Sequence, residues 1–264
     1  MDKQKRPLGN LYIGLVLLFL YLPIIVLVIY SFNTSKLNIL FEGFTLKWYS
    51  ELFHNTTLLE ALKNTIIVSL SSTFISVVIG TISAFALNKY DFKGKKMIND
   101  LLYIPIVIPE IVLGIALLSI YTFMHIELGM GTLILSHVAF SIPFVIISVR
   151  AVLDSIPKNI EDAAADLGAS NLKTLLYVVI PTIMPGITSG ALLAFTLSLD
   201  DVIISYFTAG PGSNTLPLQL FSMIKTGVTP DVNALAALIL LTVFIVLSVS
   251  TIIQIKNIQK EARL

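Results

Sequence analysis

Long apolar runs alternate with short polar breaks along the whole chain. Six stretches, near residues 8–30, 64–87, 98–123, 132–152, 183–205 and 234–254, carry almost no charge. A helix rises ~1.5 Å per residue, so each stretch is long enough to cross a hydrocarbon core of ~30 Å. Lipid gives the backbone no hydrogen-bonding partner, which makes these segments helices rather than isolated strands. The pattern predicts an all-α membrane protein with six transmembrane helices, forming a single membrane domain over residues 1–264 with no internal repeat. Two of the polar breaks on one side are sizeable, Ser31–Lys63 and Tyr206–Asn233, and the second is turn-rich around GPGSNTLP. The third break on that side, MHIELGMG, reads as a tight hairpin. On the other side lie a short basic turn, NKYDFKGKK, and a longer loop over 153–181 between the fourth and fifth spans.

Charge orients this arrangement. The chain of 264 residues is 56% apolar and only 12% charged, with a net charge of +1. That total conceals a strong sidedness. Lys3, Lys5, Arg6, Lys89, Lys93, Lys95, Lys96, Arg150, Lys158, Lys173, Lys256, Lys260 and Arg263 flank one side; only Lys36, Lys47, Lys63 and Lys225 flank the other. The basic side is expected to be cytoplasmic, which places both termini and the 153–181 loop there. The first apolar run follows a basic N-terminus but is too long for a typical signal-peptide core and lacks an A-x-A cleavage site. It is read as a retained span. The absence of cysteine excludes disulfides, thiolate catalysis and Cys-ligated metals. Nothing in the charge pattern suggests nucleic-acid binding.

The 153–181 loop carries the most specific signal, EDAAADLGASNLKTLLYVVIP, from Glu161 to Pro181. Pro157 suits the first turn of a helix and Gly168 the residue just past its end, with about ten helical residues between them. Ser170 suits the cap of a second short helix leading into the fifth span. Small Ala163 and Ala164 permit close approach of a partner, and Gly168 permits the turn that a Cβ would resist. The bland alternative is an ordinary amphipathic connector. The spacing resembles the EAA loop of ATP-binding-cassette (ABC) importer permeases, with Asp162, Ala163, Ala164, Gly168, Val178, Ile180 and Pro181 filling its places. Asp162 stands where that family usually has glutamate, and Val178 and Ile180 stand for its isoleucine and leucine. The resemblance implies docking of Glu161, Asp162, Ala163, Ala164, Gly168 and Pro181 against a separate ATPase. The chain has no G-x-x-x-x-G-K-[ST] phosphate loop, so ATP and Mg²⁺ would be held by partner subunits, with no cofactor on this chain.

Acids inside apolar segments are costly and usually mark a polar path. Glu110 lies in the third span near mid-depth, and Asp200 and Asp201 lie ~25 Å along the fifth from its cytoplasmic end, counting ~1.5 Å per residue. No basic residue inside those spans neutralises them. Such negative charge suits a cationic cargo and would repel an anion. On a continuous helix adjacent residues diverge by about 100°, so Asp201 shares a face with Ser198 and Ser205 and is the stronger path candidate. Asp200 follows Thr196 by four and would face elsewhere. The alternatives are a solvated helix end for the Asp pair and an interhelical hydrogen bond for Glu110. Pro105 and Pro109 beside Glu110 favour a functional bend. Trp48, the only tryptophan, is either a cation-attracting face or an interfacial belt residue. His137 reads as a packing hydrogen-bonder, and His54 and His125 lack metal-ligand spacing; no metal site is visible.

SFNTS, GFTLKWYS, SHVAFSIPFV, LSLDDVIIS and LPLQLFSMIKTGVTPDVNAL follow one another with the order and spacing of one group. From about Tyr12 onward the chain resembles the second, shorter membrane subunit of spermidine/putrescine importers. The resemblance implies a bacterial cytoplasmic-membrane permease paired with a homologous permease. Two ATPase subunits and an extracytoplasmic polyamine-binding protein complete the complex. It implies a polyamine path past Trp48, Glu110, Asp200 and Asp201, which Ser198 joins through the face it shares with Asp201. Rival readings are an ABC permease for an amino acid or metal ion, and a proton-coupled secondary transporter, although the latter usually has more spans and an inverted repeat. An intramembrane aspartyl protease is disfavoured, since its two carboxylates converge from different helices.

Overall fold

The computed structural model describes residues 7–36, 40–157, 160–226 and 229–261. Lys3, Lys5, Arg6, Lys158 and Arg263, used in the charge argument, lie outside them. The described chain is helical, with one isolated bridge between Asn33 and Phe44. In order, the helices are α1 (Pro7–Tyr30), α2 (Lys47–Leu52), α3 (Thr56–Lys89), α4 (Lys95–Leu102), α5 (Ile104–Val107), α6 (Glu110–Phe123) and α7 (Met130–Leu153). They continue with α8 (Ile160–Asp166), α9 (Asn171–Thr174), α10 (Ile180–Leu199), α11 (Ile203–Thr208), α12 (Leu216–Thr226) and α13 (Pro230–Glu261). Among the described residues, Gly9–Tyr30, Thr56–Lys89, Met130–Leu153 and Asn171–Leu199 are long and apolar enough to cross a membrane. The bent pair Lys95–Val107 and Glu110–Phe123 makes a fifth if it is one span. The run expected at 234–254 falls in α13, whose side chains are described only in part.

Two compact units make up the chain. One joins the segment up to Leu59 to the chain from Thr226 onward. Here the long polar break after α1 is folded rather than loose. Asn33 organises it: its Nδ2 donates to the Leu40 carbonyl at 2.7 Å, and its own carbonyl accepts the Trp48 indole N–H at 2.5 Å. Tyr49 OH and Ser31 Oγ share a hydrogen bond of 2.7 Å, and Phe32 stacks on Phe44 with ring centroids 5.3 Å apart. At the start of α13, Asp231 accepts a 2.6 Å hydrogen bond from Asn55.

The second unit, Glu60–Lys225, is built on α7 and α10. The buried positions of α10 are Ile183, Gly186, Gly190, Ala194 and Ser198, four of them small and four residues apart. That ladder lets the two backbones close up, as small residues do between membrane helices. A Cβ at Gly190 would sit 3.1 Å from the Val145 Cα, and one at Gly186 would sit 2.9 Å from the Ser148 carbonyl oxygen. Gly80 of α3 lies against Val145 as well, with a Cβ there meeting Cγ1 at 2.7 Å. Val145, Val149, Leu153, Ile183 and Ala194 are buried in the resulting core.

Proline explains the breaks. The expected third span is not one helix. Ile108 has φ −69°, ψ 135° and Pro109 φ −55°, ψ 133°, two extended residues that turn the path by 111°. A residue before proline is pushed out of the helical region, and proline has no N–H to continue the ladder. Pro181 acts more gently. The five residues before Ile180, Leu175–Val179, widen into a π-helical turn, which relieves the clash of the proline ring with the preceding turn. The helical path therefore runs from Asn171 to Leu199, beginning well before the expected 183 and ending before the expected 205. Turn structure in the 206–233 break is confined to its middle, around Gly212 at φ +74°, with α11 and α12 on either side.

Replacing Gly190 with leucine is expected to force α10 off α7 and to destabilise the protein by about 2 kcal/mol. The check is the thermal unfolding midpoint of the purified protein in detergent, against Leu192→Ala on the exposed face as control.

Candidate functional site

The expected polar stripe through LSLDDVIIS does not lie on one helix. Helix α10 ends at Leu199, Asp200 is its C-terminal cap with φ −104°, ψ 2°, and α11 starts at Ile203. The continuous-helix geometry used to assign faces to the two aspartates is therefore corrected. Asp201 turns inward, 8% exposed. Its carboxylate accepts from the backbone N–H of Ile204 at 3.2 Å and of Ser205 at 2.7 Å, and from Ser205 Oγ at 2.8 Å. These are the free donors of a helix start, so Asp201 caps α11. Asp200 is exposed.

The break is held from α7 and α3. His137, 1% exposed, places Nδ1 2.7 Å from Ser198 Oγ and Nε2 3.1 Å from Ser205 Oγ. The Asp201 carboxylate lies 3.4 Å from Nε2. Ser198 also meets Ser72 of α3 at 3.1 Å. His137 is a hydrogen-bonder, as its position in SHVAFSIPFV suggests. Ser72 escaped sequence reasoning, because one serine among several in an apolar helix carries no signal of its partner.

Glu110 opens α6, immediately after the Pro109 bend, and is exposed. Asp200 and Asp201 are its acidic neighbours and act on it electrostatically. Packing of α11 on α6 brings the break and the bend together, with Gly114 making room: a Cβ there would meet the Phe207 ring at 2.6 Å. The fold thus assembles two exposed carboxylates, Glu110 and Asp200, above the buried Asp201. Tyr206 is exposed next to them in sequence and meets Phe207 edge-on at 5.3 Å. Trp48 is placed differently, buried in the other unit with its indole N–H engaged and Lys47 Nζ 5.4 Å from its ring centre.

The 153–181 segment has a second geometry of interest. Helix α8 spans seven residues, Ile160–Asp166, with Glu161 and Asp162 in its first turn, where negative charge suits the helix dipole. Pro157 precedes the helix instead of lying in its first turn, its carbonyl accepting from Ile160 N–H at 3.1 Å. Gly168, at φ +84°, ends it: Gly168 N–H reaches the Ala165 carbonyl at 2.8 Å and Ala169 N–H the Ala164 carbonyl at 3.0 Å. That paired closure is a Schellman motif. Ser170 stands at the start of α9, but its side chain makes no capping bond. Ala164 is buried while Asp162 and Ala163 are exposed; Pro181 is exposed at the start of α10. Glu161 pairs with Lys89 at the end of α3, and Asp154 accepts from Asn88 at 2.8 Å. Together these residues line a cavity of about 430 Å³. Leu167 at the tip is 90% exposed, and Leu172 and Tyr177 are also bare. These apolar side chains in so polar a loop are legible in the sequence.

Residues 76–263 match the family described as binding-protein-dependent transport system inner membrane component. The chain belongs to that family. Its relatives include the spermidine/putrescine transport system permease protein PotC of Escherichia coli (strain K12), 40% identical over 235 residues that span 89% of each chain. The putrescine transport system permease protein PotI of the same organism is 39% identical over 86% of this chain and 84% of its own. Among solved structures, a bacterial ABC transporter involved in the import of the acidic polysaccharide alginate superposes with a TM-score of 0.72. It covers 96% of this chain and 98% of its own at 17% identity, a likeness of fold. Family membership and the apolar helices make this a multi-pass protein of the bacterial inner membrane. It is a transport component of an ABC importer and not an enzyme.

Gly168→Val places a branched side chain in the left-handed region at a cost of about 1–2 kcal/mol. Its expected result is a loosened α8–α9 corner, seen as faster trypsin cleavage at Lys173 in the purified protein.

Proposed function

We propose that the chain is the permease subunit through which a polyamine, spermidine or putrescine, enters the cell. Its identity to polyamine permeases over nearly the whole chain carries this reading, and the exposed Glu110–Asp200 pair supports it chemically. A flexible polycation with spaced amines is attracted by separated carboxylates and, because no single site holds it deeply, can leave again. An anionic cargo would meet only repulsion there.

In this reading the chain crosses the membrane six times, α13 supplying the last crossing, with both termini and the 153–181 loop in the cytoplasm. The loop is the coupling element. Leu167, Ala163 and Asp162 face a separate ATPase, and the Lys89–Glu161 pair ties α8 to the end of α3. Closure of two ATPase subunits on ATP then moves α8 and tilts the spans between outward-open and inward-open states. A homologous permease completes the path, and an extracytoplasmic binding protein delivers the cargo.

Uptake of labelled spermidine by cells expressing the complete transporter tests this. Native uptake is expected to depend on ATP. Asp200→Asn, which keeps shape and removes one of the two exposed charges, is expected to lower uptake at sub-saturating spermidine by about tenfold. ATP-dependent uptake of an amino acid in place of spermidine would overturn the cargo assignment.

A further inference from the structure

Five side chains from four helices and the α10–α11 break meet in the interior of the second unit in one hydrogen-bonded row. Ser205 Oγ donates to Asp201 Oδ2 at 2.8 Å, so its lone pairs accept from His137 Nε2, 3.1 Å away. The imidazole proton is therefore on Nε2, which leaves Nδ1 to accept from Ser198 Oγ at 2.7 Å. Ser198 Oγ also lies 3.1 Å from Ser72 Oγ, whose hydroxyl reaches the Ser69 carbonyl at 3.3 Å as well. The row runs from Ser72 on α3 through Ser198 on α10 and His137 on α7 to Ser205 on α11 and Asp201. The row ends on a carboxylate that also accepts the N–H groups of Ile204 and Ser205 in the first turn of α11. Each of Ser72, Ser198, Ser205 and His137 is at most 3% exposed.

We propose that His137 is a positioning residue: its ring fixes the α10–α11 break and thereby holds the Asp200 carboxylate out beside Glu110. The proposal rests on the cargo-path reading above and divides its acids by role. Asp200 and Glu110 meet the cargo; Asp201 and Ser198 are the two ends that His137 grips. The imidazole is the one side chain here that bridges both, because it offers an acceptor and a donor on opposite edges of a rigid ring. A serine or asparagine at this position reaches one end and leaves the other unpaired. Losing the grip loosens residues 200–202, whose backbone is tied to the flanking helices by the Asp200 N–H on the Thr196 carbonyl at 3.3 Å and by the Tyr206 N–H on the Val202 carbonyl at 2.9 Å.

The experiment is a double-mutant cycle on the complete transporter reconstituted in liposomes, reading KM and Vmax for labelled spermidine. His137→Leu is expected to raise KM about tenfold, with Vmax per assembled complex little changed. In an Asp200→Asn background the same substitution is expected to raise KM no further, since the group it positions is already neutral. An unchanged KM in His137→Leu overturns the proposal, and so does a full rise that persists beside Asp200→Asn. A merely structural role would lower the yield of assembled complex or Vmax and leave this non-additivity absent. Should His137→Leu fail to assemble, His137→Gln takes its place in the cycle. It keeps an N–H toward Ser205 and loses the acceptor for Ser198, and a native KM for it likewise overturns the proposal. Absence of spermidine uptake by the native complex would defeat the cargo reading alone. The positioning claim then rests on thiol labelling. The chain has no cysteine, so Asp200→Cys in the assembled complex reports the break directly once this chain is isolated after maleimide treatment. A rate altered by His137→Gln supports the claim, and an unaltered rate overturns it.

Discussion

Close approach of α10 to α7 underlies everything else in the second unit. Gly186, Gly190 and Ala194 recur every four residues, so one edge of α10 has almost no side chain and the Val145–Val149 face of α7 lies directly against it. In lipid such contact is driven by dispersion and fit and not by the expulsion of water, so the loss of a single methyl's worth of clearance is felt at once. The ladder has a fourth rung in Ser198. There the close contact puts a hydroxyl within reach of the His137 ring across the interface, and dry packing turns into a hydrogen-bonded junction.

From that junction the path to function is short. A helix that ends inside the protein must satisfy its last carbonyls and the first N–H groups of its successor, and Asp201 performs the second task for α11. The neighbouring aspartate is left free. On the facing element, Pro109 breaks the third apolar run, and Glu110 opens the helix that follows it. Two interruptions of helical order, one made by proline and one stabilised by an aspartate cap, thus bring carboxylates together that a pair of straight helices would have kept apart. Interrupted helices are a common way for membrane proteins to present polar groups where lipid does not reach them.

The 153–181 segment follows a different logic. It is a surface corner with little to bury, and its order comes from local bonds: the Gly168 turn, the first-turn acids, and tethers from Asn88 and Lys89. Its bare Leu167, Leu172 and Tyr177 have no partner within the described residues. Such an element takes its shape from its own short-range contacts.

By itself the sequence determined the class of protein, the helical character and the family. Those properties live in composition, local spacing and short motifs: apolar length, the Ala–Ala–Gly corner, Pro109 before Glu110, and acids without counterions. Only the tertiary structure decided where each acid lies. Periodicity on an assumed straight helix put Asp201 on one face with Ser198 and Ser205, whereas the chain breaks at Asp200 and turns Asp201 in to cap α11. Trp48, open in the sequence to either an interfacial or a cation-facing role, is packed against Asn33. Both outcomes depend on hydrogen bonds to groups distant in sequence or on a change of backbone direction. Neither is encoded in spacing, because a side chain's face is defined only once its helix has an end and a neighbour.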